Sequence, residues 1–374
     1  METHIKTKMQ ALLELGQSVW LDHLHRRMTR SDELRALIEA GLRGMTSNPT
    51  IFEHAIANGS DYDDAVRRAE AARTDREVFE AIEIEDVREA ADQFRGVYDS
   101  TDGGDGFVSI EISPALARDT DGSAAEARRL WKAVDRPNVM IKIPGTREGW
   151  GAIESCLADG ININITLLFS VEHYRAVTEA YLRALETRIA QGLSVEQLAS
   201  VASVFVSRVD TEIDKRIAAG GDSLVALRGK VAIASARLAY AAFLEITQSP
   251  RWRALEAKGA RKQRLLWAST GTKNPDYSDV LYVESLIGPE TIVTVPPETL
   301  KLFEDHGRIS LTLDHDQIRE ARRVLDRLAD GGIEFGDVNR TLEDEGIAKF
   351  AKSFDRLLHV IAGKRNAAPV AFSG

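Results

Sequence analysis

The chain has 374 residues, 44% of them apolar, and a formal net charge of −10. This length and composition predict a large folded core and exclude a mainly disordered chain. Charged residues interrupt every apolar segment well before the roughly 18 residues of a membrane-spanning helix, and the acidic balance disfavours nucleic acid, whose binders need basic patches.

The single cysteine, Cys156, excludes a disulfide framework and a thiolate metal cluster. The segment METHIKTKMQALLELGQ has no apolar stretch followed by a small-residue cleavage site, which an exported protein would carry. We therefore expect a cytoplasmic protein with no membrane or nucleic-acid partner. We expect a monomer or a homodimer.

Eight short apolar segments alternate along the chain with longer amphipathic segments of helical periodicity. They predict strands at 18–24, 42–48, 106–113, 138–145, 161–169, 201–209, 263–270 and 291–297. Two further segments near the end, DQIREARRVLDRLADGG and EDEGIAKFAKSFDRLLHVIAG, predict helices.

This alternation predicts an α/β fold, a closed (β/α)8 TIM barrel, whose usual length of about 250 residues is compatible with insertions. We predict a single domain over 1–374, with the barrel at about 18–300 and additional C-terminal helices at about 301–363. A doubly wound open sheet is the alternative, although no predicted strand is followed by the GxGxxG fingerprint of such folds.

Three successive strands alternate β-branched and polar side chains. In VSIEIS, NVMIKIPG and ININIT the valines and isoleucines share one face, whereas Glu111, Lys142, Asn164 and Thr166 lie on the other. Helix-sized connections imply parallel strands with helices over one face, so we expect the polar face to line the barrel interior. An antiparallel sheet with one solvent-exposed face would give the same alternation.

Lys142 is the most informative of these residues, because lysine is rarely buried unless it is paired or used. A structural ion pair with Glu111 is one explanation. The other is a site of Schiff-base chemistry, in which a neutral amine attacks a ketone and the iminium formed withdraws electrons. Because ionised Glu111 and Asp22 would oppose the neutral amine, we expect at least one carboxylate to hold a proton or act through water, with Lys142 on the apolar side.

The segment DHLH, residues 22–25, has the HxH spacing of the first strand in metal-dependent hydrolase barrels. Such sites also need histidines on the fifth and sixth strands and an aspartate on the eighth. The corresponding predicted strands contain none of these, and His173 follows the fifth strand on a predicted helix. We expect no metal and no cofactor, with the metal-dependent hydrolase kept as an alternative.

Taken together, six segments resemble the transaldolase family, and more closely its long bacterial form. They are TSNPTIF, SIEISPALARDT, MIKIPGT, GININITLLFS, SVFVSRVD and STGTKNP. The resemblance implies a transferase of the non-oxidative pentose phosphate pathway with sugar-phosphate substrates. Such an enzyme moves a dihydroxyacetone unit from sedoheptulose 7-phosphate or fructose 6-phosphate to glyceraldehyde 3-phosphate or erythrose 4-phosphate. An aldolase that releases free dihydroxyacetone and a barrel that only binds sugar phosphates are the alternatives.

The resemblance also implies catalytic roles for four residues. It places the Schiff-base lysine at Lys142, the residue that strand parity selects independently. It gives Asp22 the role of taking the proton from the C4 hydroxyl during carbon–carbon cleavage. Glu111 and Thr166 would hold a water and move protons while the carbinolamine forms and breaks down.

Five further residues are implied as substrate ligands. Asn48 and Asn164 match the amides that hold the dihydroxyacetone unit, Ser203 matches a sixth-strand position, and Arg208 matches the phosphate ligand. Many family members carry a second arginine after the seventh strand, where this chain has STGTKNP. We expect Lys273 to replace it, as a point charge and not as a two-pronged fork.

Five of these residues also have a structural interpretation. Asn48 could only shape a turn, Asp22 could pair with a neighbouring histidine, and Thr166 could fill space. Arg208 could form a salt bridge with an aspartate two residues later, and Lys273 could point into solvent.

Overall fold

The computed structural model describes residues 6–69, 74–220 and 222–366. All eight predicted strands are present: β1 (Gln17–Asp22), β2 (Leu42–Thr46), β3 (Phe107–Glu111), β4 (Val139–Pro144), β5 (Ile163–Leu168), β6 (Ser200–Phe205), β7 (Arg264–Ala268) and β8 (Thr291–Val295). They form one closed parallel barrel in which each strand pairs with the next and β8 pairs with β1. The TIM barrel is thus confirmed, whereas the open and antiparallel alternatives are wrong. Residues 1–5, 70–73, 221 and 367–374 of the predicted domain lie outside the described residues.

Helices precede, connect and follow the strands. They are α1 (Lys8–Glu14), α2 (Arg26–Arg30), α3 (Glu33–Glu39), α4 (Pro49–Ala57), α5 (Asp63–Arg68), α6 (Asp75–Ser100), α7 (Thr120–Val134), α8 (Gly149–Ala158), α9 (Val171–Ala190), α10 (Ser207–Gly220), α11 (Val231–Thr247), α12 (Pro250–Glu256), α13 (Leu281–Ser285), α14 (Pro297–His306), α15 (His315–Asp330) and α16 (Phe335–Asn366). Among the described residues, no helix combines the length and apolar character that crossing a membrane requires.

Short polar side chains fix where several of these helices begin. Asn48 caps α4 by accepting from the backbone N–H groups of Thr50 and Ile51. Ser170 caps α9 in the same way. Because a capping side chain satisfies N–H groups that the first helical turn leaves free, each helix starts at a defined residue just after its strand.

The core has two parts, one outside and one inside the barrel. The valines and isoleucines of β3, β4 and β5 are fully buried against the surrounding helices, as in Ile110, Ile141 and Ile165. Inside, Trp20 and Phe107 have ring centres 6.3 Å apart and fill the amino-terminal half. The indole requires glycine at position 44, where a Cβ atom would lie 2.5 Å from the Trp20 ring. The carboxyl-terminal half is left for polar side chains.

The two predicted C-terminal helices are present as α15 and α16, but α16 begins earlier than predicted, at Phe335. Val338 and Leu342 in this added part are buried and continue the helical spacing of apolar residues. α16 packs against α4, α6 and α10 and contacts β5. It therefore crosses the end of the barrel at which the polar side chains gather.

Candidate active site

A cavity of about 960 Å³ opens at the carboxyl-terminal end of the barrel. Seven of the nine predicted site residues line it: Asp22, Asn48, Lys142, Thr166, Ser203, Arg208 and Lys273. Glu111 and Asn164 lie directly behind the lining, where they contact Lys142 and Ser203 respectively. The structure thus brings the predicted residues together at the end of the barrel where loops can be varied without disturbing the fold.

Three of these residues form a row across neighbouring strands. Glu111 on β3 is in register with Lys142 on β4, which is in register with Asn164 on β5. The Nζ atom of Lys142 lies 3.5 Å from Glu111 Oε2 and donates to the Ser47 carbonyl at 3.2 Å. The lysine and glutamate side chains are only 6% and 3% exposed. Lys142 therefore forms an ion pair and also borders the cavity.

The electrostatics of Glu111 reflect its burial. Burial raises the pKa of Glu111, and the positive charge of Lys142 opposes this rise. Among the described residues, no hydrogen bond is made to Glu111 Oε2 or to the Thr166 hydroxyl. These two buried oxygens lack hydrogen-bond donors among the described residues and lie near an amine, so they are suited to holding a water molecule.

An irregularity in β5 accompanies the position of Thr166. The register with β6 shifts between Ile165 and Leu168, and Leu167 adopts a left-handed conformation with φ of 60°. Such bulges recur beside active sites, where they redirect a side chain, and positive φ is rare for a bulky residue. The hydroxyl of Thr166, one residue earlier, is fully buried at the edge of the cavity.

Asp22 is the last residue of β1, and its Oδ1 accepts a hydrogen bond from the Thr46 hydroxyl at 2.8 Å. Among the described residues it forms no ion pair with His23 or His25. The His25 ring instead accepts from the Arg27 backbone N–H and lies 3.6 Å from an aspartate of the next loop. Asp22 is thus held by a neutral hydroxyl and faces the cavity.

The two histidines of the HxH segment, His23 and His25, lie at the wall of the cavity. The two imidazole rings stack with centres 6.2 Å apart, and burial lowers the pKa of both His23 and His25. Within the described ranges, no group of three or more histidine, cysteine, aspartate or glutamate side chains is arranged to hold a metal ion.

Hydrogen bonds fix the amide of Asn164. Its Oδ1 accepts from the Ser203 hydroxyl at 2.7 Å, and its Nδ2 donates to the Ser109 hydroxyl at 3.0 Å. Asn48 uses its Oδ1 to cap α4 while its side chain also lines the cavity. The turn-forming role expected as an alternative for Asn48 is therefore present, and its Nδ2 remains available for a ligand.

Arg208 carries its charge without a carboxylate partner in the described part of the chain. Its guanidinium carbon lies 4.8 Å from the ring centre of Phe205 and 5.4 Å from that of Phe350, both within the range of cation–π attraction. Burial lowers the pKa of Arg208 from its usual high value. The predicted alternative, a salt bridge with Asp210, is absent because that carboxylate accepts from the Ala232 N–H and the Tyr282 hydroxyl.

α16 contributes five residues to the cavity that were not predicted from the sequence. They are Leu342, Glu345, Gly346, Lys349 and Phe350. Their spacing of three and four residues places them on one helical face, which is a signal visible in the sequence. That signal alone does not show which part of the barrel the helix covers.

Lys349 joins Arg208 and Lys273 in a cluster of three cations. None of the three is paired with a carboxylate among the described residues. Burial, and then the positive charges of Arg208 and Lys273, lowers the pKa of Lys349. Unpaired like charges at a cavity wall are unfavourable unless an anion binds between them.

Known proteins are similar to this chain over nearly its whole length. The sequence profile of the family described as Transaldolase/Fructose-6-phosphate aldolase matches residues 19–361. The chain is 49% identical over 360 residues to a transaldolase of Saccharopolyspora erythraea, covering 95% of this chain and 97% of that protein. It is 49% identical over 357 residues to a transaldolase of Thermobifida fusca, with the same coverage. It is 47% identical over 363 residues to a transaldolase of Mycolicibacterium smegmatis, covering 96% and 98%.

Proposed function

This chain belongs to the transaldolase family and is a transferase, and from that premise we propose that it transfers a dihydroxyacetone unit between sugar phosphates through a Schiff base at Lys142. The donor is sedoheptulose 7-phosphate or fructose 6-phosphate, and the acceptor is glyceraldehyde 3-phosphate or erythrose 4-phosphate. These substrates belong to the non-oxidative pentose phosphate pathway, for which a cytoplasmic location is expected.

The observation that carries this proposal is the position of Lys142. Its amine is buried, borders the cavity and lies beside a carboxyl group whose pKa burial raises. A carboxylate whose ionised form is disfavoured by burial takes the proton of a neighbouring ammonium more readily than an exposed carboxylate would. Lys142 can then supply a neutral amine to the C2 ketone, which is the requirement for iminium formation.

Residues of the site can accept and return the protons that move during iminium formation. Lys142 releases a proton when it attacks the ketone, and the hydroxyl of the carbinolamine must receive one to leave as water. Glu111, with a water between it and the Thr166 hydroxyl, performs both transfers. The step balances, because an ammonium and a ketone contain the same atoms and charge as an iminium and a water.

The other carboxylate, Asp22, acts in carbon–carbon cleavage. Asp22 takes the proton of the C4 hydroxyl, the C3–C4 bond breaks, and its electrons flow into the iminium to give an enamine. The first product leaves as an aldehyde, and the acceptor aldehyde is attacked by the enamine in the reverse of these steps. Asn48, Asn164 and Ser203 hold the three-carbon unit between the two half-reactions.

The phosphate group binds at the cation cluster. Arg208 supplies two parallel N–H groups, whereas Lys273 and Lys349 supply point charges from the loop after β7 and from α16. The contacts of the Arg208 guanidinium with the rings of Phe205 and Phe350 restrict its movement before the phosphate binds. This pre-organisation reduces the entropy that is lost on binding.

Reductive trapping tests the proposal. Borohydride in the presence of fructose 6-phosphate should add one dihydroxyacetone remnant to Lys142, located by peptide mapping, and inactivate the enzyme. Lys142→Arg should neither be trapped nor turn over, since a guanidinium stays protonated. Trapping at another lysine, or full activity without any trapping, would refute the assignment.

The second candidate function is that of an aldolase, because the family description includes fructose-6-phosphate aldolase. The enamine meets either an acceptor aldehyde or a proton, and a proton would release free dihydroxyacetone. An assay for glyceraldehyde 3-phosphate with and without erythrose 4-phosphate separates the two. A transferase requires the acceptor for sustained turnover, whereas an aldolase does not.

A further inference from the structure

Glu83 on α6 is a buried carboxyl group that the mechanism above does not use. Its residue is 5% exposed, and in the described part of the chain it makes no hydrogen bond or ion pair. Carboxyl groups are rarely buried without a partner, because the desolvation of the charged form is expensive. Its position therefore needs an explanation.

Glu83 shares a cavity of about 20 Å³ with Glu111. This volume suffices for about one water molecule. Ser113, also in the lining, is 5% exposed, and among the described residues its hydroxyl has no hydrogen-bond partner. The lining of this small cavity and that of the substrate cavity have no residue in common. Glu111 thus lies between Lys142 on one side and Glu83 on the other.

The ionisable groups around Glu83 are almost all acidic, but each of them has its own cation. On α6 itself, Glu80 pairs with Arg129, and Asp86 pairs with Arg26. Glu126 on α7 pairs with Arg76. Glu111 on β3 pairs with Lys142. The parts of α4 and α16 that line the cavity contribute the uncharged Pro49 and Phe354. Glu83 is the member of this cluster without a cation among the described residues.

The protonation state of Glu83 follows from these surroundings. Burial raises the pKa of Glu83 well above its ordinary value, and the negative charge of Glu111 raises it further. A protonated carboxyl can be buried at much lower cost than an ionised one, and it can donate a hydrogen bond.

We propose that Glu83 is a positioning residue of the reaction, which carries a proton at neutral pH and shares it with Glu111 across the small cavity. The protonated Glu83 donates a hydrogen bond, directly or through one water, to the Glu111 carboxylate. When Glu111 takes the proton of Lys142, the pair holds two protons, and one of them returns to the carbinolamine hydroxyl. No proton enters or leaves the site, so the step balances. This inference rests on the proposed lysine chemistry.

The test is the pH dependence of borohydride trapping at Lys142 with saturating fructose 6-phosphate. In Glu83→Gln the amide donates a weaker hydrogen bond and cannot exchange the proton. We expect the trapping rate at neutral pH to fall roughly tenfold. In the plot of trapping rate against pH, the acidic limb should move up by about one pH unit. Glu83→Asp retains a carboxyl group, so the acidic limb of its pH profile should lie closer to the wild-type position.

Glu80→Gln is the matched control, because it removes a carboxylate from the same helix and cavity lining, but one already paired with Arg129. It should keep the wild-type pH profile. The melting temperature of Glu83→Gln should not fall, since the variant removes a buried carboxyl without a partner. A wild-type profile in Glu83→Gln, an equal shift in Glu80→Gln, or a loss of rate at all pH values with a lower melting temperature would each overturn the inference.

Infrared spectroscopy of the wild type with ¹³C-labelled glutamate gives a second measurement that needs no variant. A protonated glutamate carboxyl must be visible at neutral pH, and its absence would overturn the role of Glu83 even if trapping at Lys142 succeeds. If the wild type formed no adduct at Lys142, the proposed function itself would fail and the inference with it. The two failures are thus distinguishable.

Discussion

The guanidinium carbon of Arg208 lies 5.4 Å from the centre of the Phe350 ring, so a residue in the first turn of α10, just after β6, is covered by the C-terminal helix α16. One helical turn earlier on the same face, a Cβ atom at Gly346 would lie 3.6 Å from an Arg208 nitrogen. α16 is therefore part of the proposed phosphate site and not only an addition to the barrel.

Lys349→Ala tests the contribution of α16 to phosphate binding. We expect the KM for fructose 6-phosphate and erythrose 4-phosphate to rise roughly tenfold, which corresponds to one charge-assisted hydrogen bond. Lys352→Ala, on the same helix but exposed and outside the cavity lining, is the matched control. Equal KM values in both variants would contradict a phosphate role for Lys349.

Lys273→Ala should also raise the KM for phosphorylated donor and acceptor roughly tenfold, because it removes one point charge. Arg208→Ala should raise this KM further, because it removes two parallel N–H donors at a buried position. Neither variant should greatly change the turnover of unphosphorylated dihydroxyacetone donors. Steady-state kinetics with paired phosphorylated and unphosphorylated substrates distinguish this outcome from a general loss of activity.

Gly346→Val tests the close approach of α16 to the barrel. Even a Cβ atom at this position would lie 3.0 Å from the Leu167 side chain, and the valine methyl groups extend beyond it. We expect α16 to move outward, with a rise in KM for phosphorylated substrates of several-fold and little change in borohydride trapping of dihydroxyacetone.

Gly363→Ala on the same helix is the control for this substitution, since no atom lies within 4 Å of its Cβ position. It should leave KM unchanged and stabilise the protein by about 0.5–1 kcal/mol, the usual difference between alanine and glycine inside a helix. An unchanged KM in Gly346→Val would show that the packing of α16 on Leu167 does not set the phosphate site.

The strands and their inward residues could be predicted because each depends on local information. Alternation of side chains along a strand placed Glu111, Lys142 and Asn164 on one face, and parallel pairing then aligned them in a row. Several strands were predicted to extend too far at their carboxyl ends. Residues such as Asn48 and Ser207 cap or begin helices, but they also fit the end of an apolar segment.

Long-range contacts could not be predicted in this way. The place of Lys349 depends on α16 returning across the barrel after β8, and no local pattern specifies the direction of that helix. The same holds for Glu83, which reads as one more acidic residue of an amphipathic helix. Its distinguishing property is that it has no cation among the described residues, whereas its acidic neighbours do, and this is visible only in three dimensions.

Asp22→Asn should separate cleavage from Schiff-base formation. The amide cannot take the proton of the C4 hydroxyl, but it keeps the volume of the carboxylate and an oxygen that accepts from the Thr46 hydroxyl. We expect turnover to fall by roughly 10²–10⁴-fold, the usual contribution of a general base. Trapping of the donor at Lys142 should remain measurable, and an equal loss of both rates would contradict the role of Asp22 in cleavage.

The buried carboxyl group of Asp210 should make the stability of the fold depend on pH. Burial raises its pKa from 3.8 to about 7, against the hydrogen bonds from the Ala232 N–H and the Tyr282 hydroxyl, which lower it. The folded protein therefore binds this proton more tightly than the unfolded chain does. The resulting stabilisation is fully present below about pH 4 and is lost as the pH rises through 7, by about 1.4 kcal/mol per unit of pKa difference.

Urea unfolding of the wild type should therefore show a lower free energy of unfolding at pH 8 than at pH 5. In Asp210→Asn the side chain no longer titrates, while its amide oxygen still accepts from Ala232, so the decrease between the two pH values should be smaller. Asp326→Asn, at an exposed position on α15, is the matched control and should keep the wild-type decrease. Buried Asp86, whose pKa is raised to about 6, titrates in the same range and leaves part of the decrease in every variant. The same decrease in Asp210→Asn as in the wild type would show that Asp210 is ionised throughout this range, held by its two hydrogen-bond donors.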